Sequence, residues 1–432
     1  YQLNPVRDVR HDNKVIESYN DDYKEIIDKV LASETIIIAS PVYWYSLSAS
    51  VKAFFDHWSE TLMDPNYKNF KEQICIDFED IAGYQFSSDC ITEGIISKML
   101  IYGRNATGKT NLGKALIDIC STMFRSPGYM REGNFLNADT KENSAMFSYT
   151  FQFEGRELIY RYNRFSANVL QYEELVIDGT NIFNCDFMSQ TYNFDNLKYV
   201  GAETANIERY LVSLNDGEEM DEAVNTKLPF LRWLISNVAL ENDSILIRMA
   251  NYVRRMTMIT ANHATMLRTR SFNDNFCEFL EKTQRVRDLQ DFLNAMGIKC
   301  KLKLKILPDG QRELYFAHEK LVSFFENASS GTLALVHLYR RVISVASDSS
   351  LLYLDEFDAF YHTDLSIAVI QKLLLEEQIQ VVFTSHNTDI VSNELLRPDC
   401  YFILEDNSIK PFSSLTDKAL REAHNLQKMY RA

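Results

Sequence analysis

Apolar residues along the 432-residue chain fall into short blocks whose spacing changes character several times. Within 21–31, Ile26, Ile27, Val30 and Leu31 sit at helical spacing. Thr35–Ala39 is an unbroken β-forming run, and 48–58 returns to helical spacing. Ile74, Ile76 and Phe78 then alternate with Cys75 and Asp77, which predicts a half-buried strand over 73–78. Lys98–Tyr102 reads as a short buried strand, and Leu112, Ala115, Leu116 and Ile119 predict a helix over 111–122. Strand patterns follow at 145–153, 158–163 and 175–178, punctuated by turns at Glu154-Gly155 and Asp178-Gly179. From Asn206 to about Met296 the pattern turns helical, with Phe230, Leu231, Trp233 and Leu234 as one example. Over 299–306, Cys300, Leu302, Leu304 and Ile306 alternate with Lys299, Lys301, Lys303 and Lys305. Asp309-Gly310 then turns the chain into a hairpin return at 313–316. A helix is expected after Ala328-Ser329-Ser330-Gly331-Thr332, and apolar strands at 351–354 and 380–383 complete the pattern. Strands and helices alternate in this way in α/β proteins.

Composition narrows the picture only a little. Hydrophobic content of 46% with 24% charged residues is that of a globular chain, and the length suits two or three domains. The net charge of −15 argues against a surface coated for nucleic acid, though not against a local basic groove. The seven cysteines form no C-x-x-C pair, so reduced thiols and a cytoplasmic location are expected, with no zinc site. No apolar run reaches membrane-spanning length, so no membrane partner is expected.

The candidate chemistry starts at Gly103-Arg104-Asn105-Ala106-Thr107-Gly108-Lys109-Thr110, which satisfies G-x-x-x-x-G-K-[ST] between a strand and a helix. A loop that wraps a phosphate must aim consecutive backbone N–H groups inward, and the two glycines let the backbone turn and approach. Lys109 is expected at the β- and γ-phosphates of ATP and the Thr110 hydroxyl at Mg²⁺, with Asn111 opening the helix whose dipole favours the anion. Two carboxylates, Asp355 and Glu356, end the apolar run 351–354; Asp355 is the expected metal residue and Glu356 the group that polarises water. His386 ends the strand at 380–385.

Taken in order, these motifs over 67–432 resemble ABC-type ATPases of the SMC/RecF class, and more closely the AAA/ABC ATPases of bacterial abortive-infection (phage defence) systems. That resemblance implies a P-loop ABC-type head: a mixed sheet core with an antiparallel β subdomain. It divides the chain into a first head lobe at 67–205, an inserted helical domain at 206–298 and a second lobe at 299–432. It also implies that Ser330, Gly331 and Thr332 form a signature loop for the γ-phosphate of a second copy, that Phe357–His362 is a D-loop, and that His386 is a switch histidine. Gln152 would be the glutamine that contacts Mg²⁺. A head-to-tail homodimer or higher oligomer follows, together with a separately encoded effector such as a nuclease or TOPRIM protein.

Residues 1–66 are different. Ala39-Ser40-Pro41-Val42-Tyr43-Trp44 followed by Ser48–Asp56 is similar to the flavodoxin-like NAD(P)H-dependent FMN reductases. One strand and two helices cannot enclose a flavin, so FMN is not expected and the segment is expected to pack or dock. Three readings stand: an ATP-gated sensor or scaffold for an effector, a DNA-end or repair ATPase with nucleic acid as partner, and a flavin-dependent redox protein fused to an ATPase.

Overall fold

The computed structural model describes residues 73–105, 107–124, 144–166, 169–215, 228–260, 270–346, 348–358, 363–405 and 408–415. All of them belong to one compact unit, Glu72–Phe135 with Glu142–Ala432. The readings made for 1–66, Ala106, 216–227, 261–269, 359–362 and 416–432 lie outside the described residues.

In chain order, a hairpin of β1 (Ile91–Thr92) and β2 (Ile95–Ile96) precedes β3 (Lys98–Tyr102) and helix α1 (Lys109–Phe124). Next comes a meander of β4 (Ala145–Phe153), β5 (Arg156–Ser166), β6 (Val169–Ile177), β7 (Thr180–Asp186) and β8 (Thr191–Asn193). Helices α2 (Ile207–Asn215), α3 (Phe230–Asn237) and α4 (Ile245–Arg254) lead to β9 (Thr257–Thr260), then α5 (Arg270–Thr283) and α6 (Val286–Ala295). A three-stranded sheet of β10 (Leu302–Ile306), β11 (Arg312–Ala317) and β12 (Leu321–Ser323) precedes helix α7 (Ser330–Leu338). The chain closes with β13 (Leu351–Asp355), α8 (Thr363–Leu374), β14 (Gln380–Ser385), β15 (Tyr401–Glu405) and β16 (Ser408–Pro411).

The core is a six-stranded sheet in the order β16-β15-β3-β14-β13-β9, parallel except for β16 on one rim. Strands covered on both faces need apolar side chains throughout, and β13 is buried at all five positions. The alternation at 145–153 makes β4 the edge of a five-stranded antiparallel sheet with one packed face and one open face. Its hairpin turns carry positive φ at both central residues, Glu154 at 51° with Gly155 at 78°, and Asp178 at 49° with Gly179 at 76°. That backbone matches the twist of the strands it joins.

The mixed sheet core and the antiparallel sheet agree with the fold the sequence implies. Three local readings need correction. Residues 73–78 keep the alternating exposure but join no ladder; Phe78 only accepts a backbone bond from Ile96. Thr257–Thr260, inside the run read as helical, is a strand paired in parallel with β13. Four residues between two helices are too few for a period-two signal to stand out. The hairpin after Asp309-Gly310 also gains a third strand, β12.

Helix α1 is held from both sides. Gly113 packs flat on the Tyr353 ring, where an added Cβ would lie 2.4 Å from a ring carbon. On the other side Tyr149 of β4 donates to the Ala115 carbonyl at 2.7 Å, and Tyr162 of β5 donates to Asp118 at 2.6 Å. Arg164 pairs with Asp118 at 3.2 Å in the same buried layer. Farther along the antiparallel sheet, Glu173 is completely buried. Its carboxylate accepts from Phe230 N–H (2.6 Å), Leu231 N–H (2.9 Å) and Tyr160 OH (2.9 Å), capping α3.

Candidate functional site

Strand β3 delivers the chain to Gly103 at its carboxyl end, and α1 begins at Lys109. The loop between them is tight. A Cβ on Gly103 would meet Thr107 Oγ1 at 2.6 Å and the Leu404 carbonyl at 3.1 Å, so only glycine fits. Gly108 turns with φ 99°, a conformation that disfavours side chains. Lys109 is 3% exposed; its Nζ folds back over the loop and donates to the carbonyls of Gly103 (2.8 Å) and Arg104 (2.9 Å). Burial holds its pKa below the usual lysine range, against the pull of Glu356 and Asp355.

Strand β13 brings two acids to the same edge. Thr110, the second residue of α1, donates its hydroxyl to Asp355 Oδ2 at 2.7 Å. Thr384 of β14 donates to Asp355 Oδ1 at 3.1 Å. Burial raises the Asp355 carboxyl pKa, offset by these two hydroxyls. Glu356 follows in the left-handed region at φ 47°, which ends the strand and turns its side chain out. Its Oε1 stands 3.8 Å from Lys109 Nζ. A threonine hydroxyl touching a carboxylate is an all-oxygen donor pair of the kind a hard divalent cation takes, so the residues present fit Mg²⁺ beside a phosphate.

His386 is exposed directly after β14, beside the loop, because Gly103 N–H donates to the Ser385 carbonyl at 3.2 Å. Arg104 and Asn105 are exposed on the loop. Asn111 has a buried side-chain nitrogen without a hydrogen-bond partner. Ser329 caps α7 by accepting from Thr332 N–H at 3.1 Å, and the two hydroxyls lie 2.9 Å apart; Thr332 is buried and Gly331 exposed. The structure thus brings Lys109, Thr110, Asp355, Glu356 and His386 to one sheet edge, and places Ser330, Gly331 and Thr332 at the start of a separate helix.

Gln152 is a correction. It sits on the open face of β4, whereas Tyr149, on the opposite face, touches α1. Side chains alternate along a strand, so Gln152 points away from the helix that carries Thr110. The strand end that does lie beside Asp355 is that of β9, where Thr260 pairs in register with it. Sequence reasoning also missed Thr384, Asp358 and Tyr353. Ser385 donates to Asp358 at 2.7 Å, and Tyr353 OH donates to the Lys109 carbonyl at 2.5 Å. Their signal was position alone, each two residues from a named site residue (His386, Glu356 and Asp355).

The chain has several likenesses to known proteins. A family model described as "AAA domain, putative AbiEii toxin, Type IV TA system" matches residues 98–392, from the first residue of β3 to beyond His386. A second, described as NADPH-dependent FMN reductase, matches residues 3–74. The "Putative NAD(P)H-dependent FMN-containing oxidoreductase YwqN" of Bacillus subtilis is 38% identical over 76 residues, 18% of this chain. The chain spans 42% of that relative's length. Among solved structures, an SMC head bound to the C-winged helix domain of ScpA aligns over 72% of this chain and 88% of its own, with 13% identity and a TM-score of 0.36. The SMC head domain from Thermotoga maritima aligns over 73% and 89%, with 14% identity and a TM-score of 0.34. Among the described residues no helix is long and apolar enough to cross a membrane.

Proposed function

Because the chain belongs to the family of AAA domains that carries the AbiEii toxin description, we propose that it binds and hydrolyses ATP and couples that cycle to a second protein. The observation that carries this reading is the 2.7 Å bond from Thr110 to Asp355, which joins positions 245 residues apart beside a phosphate-type loop. Backbone N–H groups of 103–110 and the α1 N-terminus would hold the phosphates, with Lys109 moving from the loop carbonyls to the β,γ region. Thr110 and Asp355 would hold Mg²⁺, which supplies charge neutralisation on the phosphates. Glu356 polarises the attacking water, and His386 meets the γ-phosphate from the neighbouring strand end.

The Ser330-Gly331-Thr332 loop belongs to the second half of the cycle: one copy offers it to ATP held by the other, and hydrolysis releases the pair. The Ser329–Thr332 cap, which leaves Gly331 exposed at a helix N-terminus, supports this. The coupled protein is an effector in antiphage defence. Residues 1–66 serve as a docking element.

Measured ATP turnover tests the core claim. Glu356→Gln should still bind ATP while turnover falls roughly a hundredfold or more. Equal turnover in both proteins sinks the assignment of Glu356. A second reading, direct action on nucleic acid, is favoured by the exposed Lys303 and Lys305 on the edge strand β10 and Lys301 just before it. Stimulation of hydrolysis by DNA, lost steeply with salt, would support it.

A further inference from the structure

Thr384 lies on β14, two residues before His386, and is completely buried. Its hydroxyl has one proton and two lone pairs. Glu356 N–H can only donate, and it reaches Thr384 Oγ1 at 2.8 Å. The hydroxyl proton therefore goes the other way, to Asp355 Oδ1 at 3.1 Å. The direction of the chain is fixed: Glu356 N–H to Thr384 to the Asp355 carboxylate. The Thr384 carbonyl also accepts from Phe357 N–H at 3.3 Å. One residue thus ties down three consecutive positions of the strand end that carries both acids.

The conformation at that strand end needs holding. Glu356 is a non-glycine residue at φ 47°, a region that L-residues avoid. The backbone bond to Thr384 helps to hold Glu356 there. Without it the strand end is free to return to extended geometry, which would swing the Glu356 carboxylate away from its place 3.8 Å from Lys109 Nζ. Asp355 keeps a second hydroxyl, from Thr110 at Oδ2, so its carboxylate stays held when the Thr384 hydroxyl is lost.

We propose that Thr384 is a positioning residue for hydrolysis: its hydroxyl bridges Asp355 and the Glu356 backbone and thereby sets where the Glu356 carboxylate meets the attacking water. The inference rests on the ATPase reading above. It places part of the site's precision on β14, the strand that also carries His386, so that a shift of this strand end on γ-phosphate contact moves Glu356 with it.

The test compares Thr384→Val, which keeps shape and loses the hydroxyl, with Thr384→Ser, which keeps the hydroxyl. For each, single-turnover ATP hydrolysis, ATP affinity and thermal unfolding are measured. The valine variant should hydrolyse roughly tenfold to a hundredfold more slowly, with ATP affinity within about threefold of wild type. The serine variant should return to within about threefold of the wild-type rate. In a Glu356→Gln background, Thr384→Val should add no further loss, because the residue acts through Glu356. If valine prevents folding, Thr384→Ala takes its place in the same cycle. Wild-type turnover in Thr384→Val, equal impairment in Thr384→Ser, or a full additional loss in the Glu356→Gln background each overturns the proposal. An inactive wild-type protein would instead overturn the ATPase reading itself, a different result from an active wild type matched by its valine variant.

Discussion

Lys109 illustrates how a motif residue can be read from sequence while its resting partners cannot. G-x-x-x-x-G-K-[ST] names the lysine, but its hold on the Gly103 and Arg104 carbonyls appears only once the loop is folded. Lys109→Ala should weaken ATP binding roughly tenfold to a hundredfold, the cost of one charge-assisted contact, as measured by nucleotide titration. Glu173 was not legible at all, since nothing local in Tyr172-Glu173-Glu174 says which carboxylate faces inward. Burial pushes its pKa up to about 7, ahead of the three hydrogen bonds that favour the anion. The folded chain keeps this proton at pH values where the unfolded chain has lost it. The group's contribution is therefore complete below the unfolded value of about 4.5 and is lost as pH rises to about 7, by roughly 3 kcal/mol. Urea unfolding across about pH 5 to 8 should show that loss in wild type, and Glu173→Gln should flatten it. Identical pH slopes in the two proteins would contradict this.

Among elements, α1 and β13 were the most legible because motif and periodicity agree there. β9 was the least: it is short, and its membership of the central sheet depends on β13, nearly a hundred residues later. Gln152 failed for a related reason, because a sequence position between motifs does not say which face of β4 it occupies. The contact of α1 with β13 can be tested through Gly113. Alanine there would gain about 1 kcal/mol in helix propensity, but its Cβ would strike the Tyr353 ring at 2.4 Å. That ring is fully buried and tied by its hydroxyl to the Lys109 carbonyl, so it cannot swing clear. Overpacking at about 1–3 kcal/mol should win, and Gly113→Ala should lower the denaturant midpoint and weaken ATP binding together. An unchanged midpoint would mean that the layer is looser than it looks.

For the whole molecule, the order of motifs along the chain forecast that distant segments meet, and 98–392 forms one family unit as that order implied. How copies would assemble is not written in periodicity, because a pocket shared between copies would leave no local trace. Glu356→Gln with ATP should shift the mass in solution from one copy to two or more, and Lys109→Ala should not shift under the same conditions. A Glu356→Gln protein that stays at one copy with ATP bound would refute assembly through Ser330-Gly331-Thr332.

Strand β3 sits between β14 and β15, both of which come from the last part of the chain. Its first residue, Lys98, is buried with Nζ on the Ile379 carbonyl, 281 residues downstream. During synthesis, at roughly 5–20 residues per second, this apolar ribbon waits ~15–60 s before either neighbour is made. The phosphate loop is therefore translated well before the two strands that flank β3. Chaperones are expected to crowd onto nascent chains that stop short of Gln380, where β3 still lacks both neighbours.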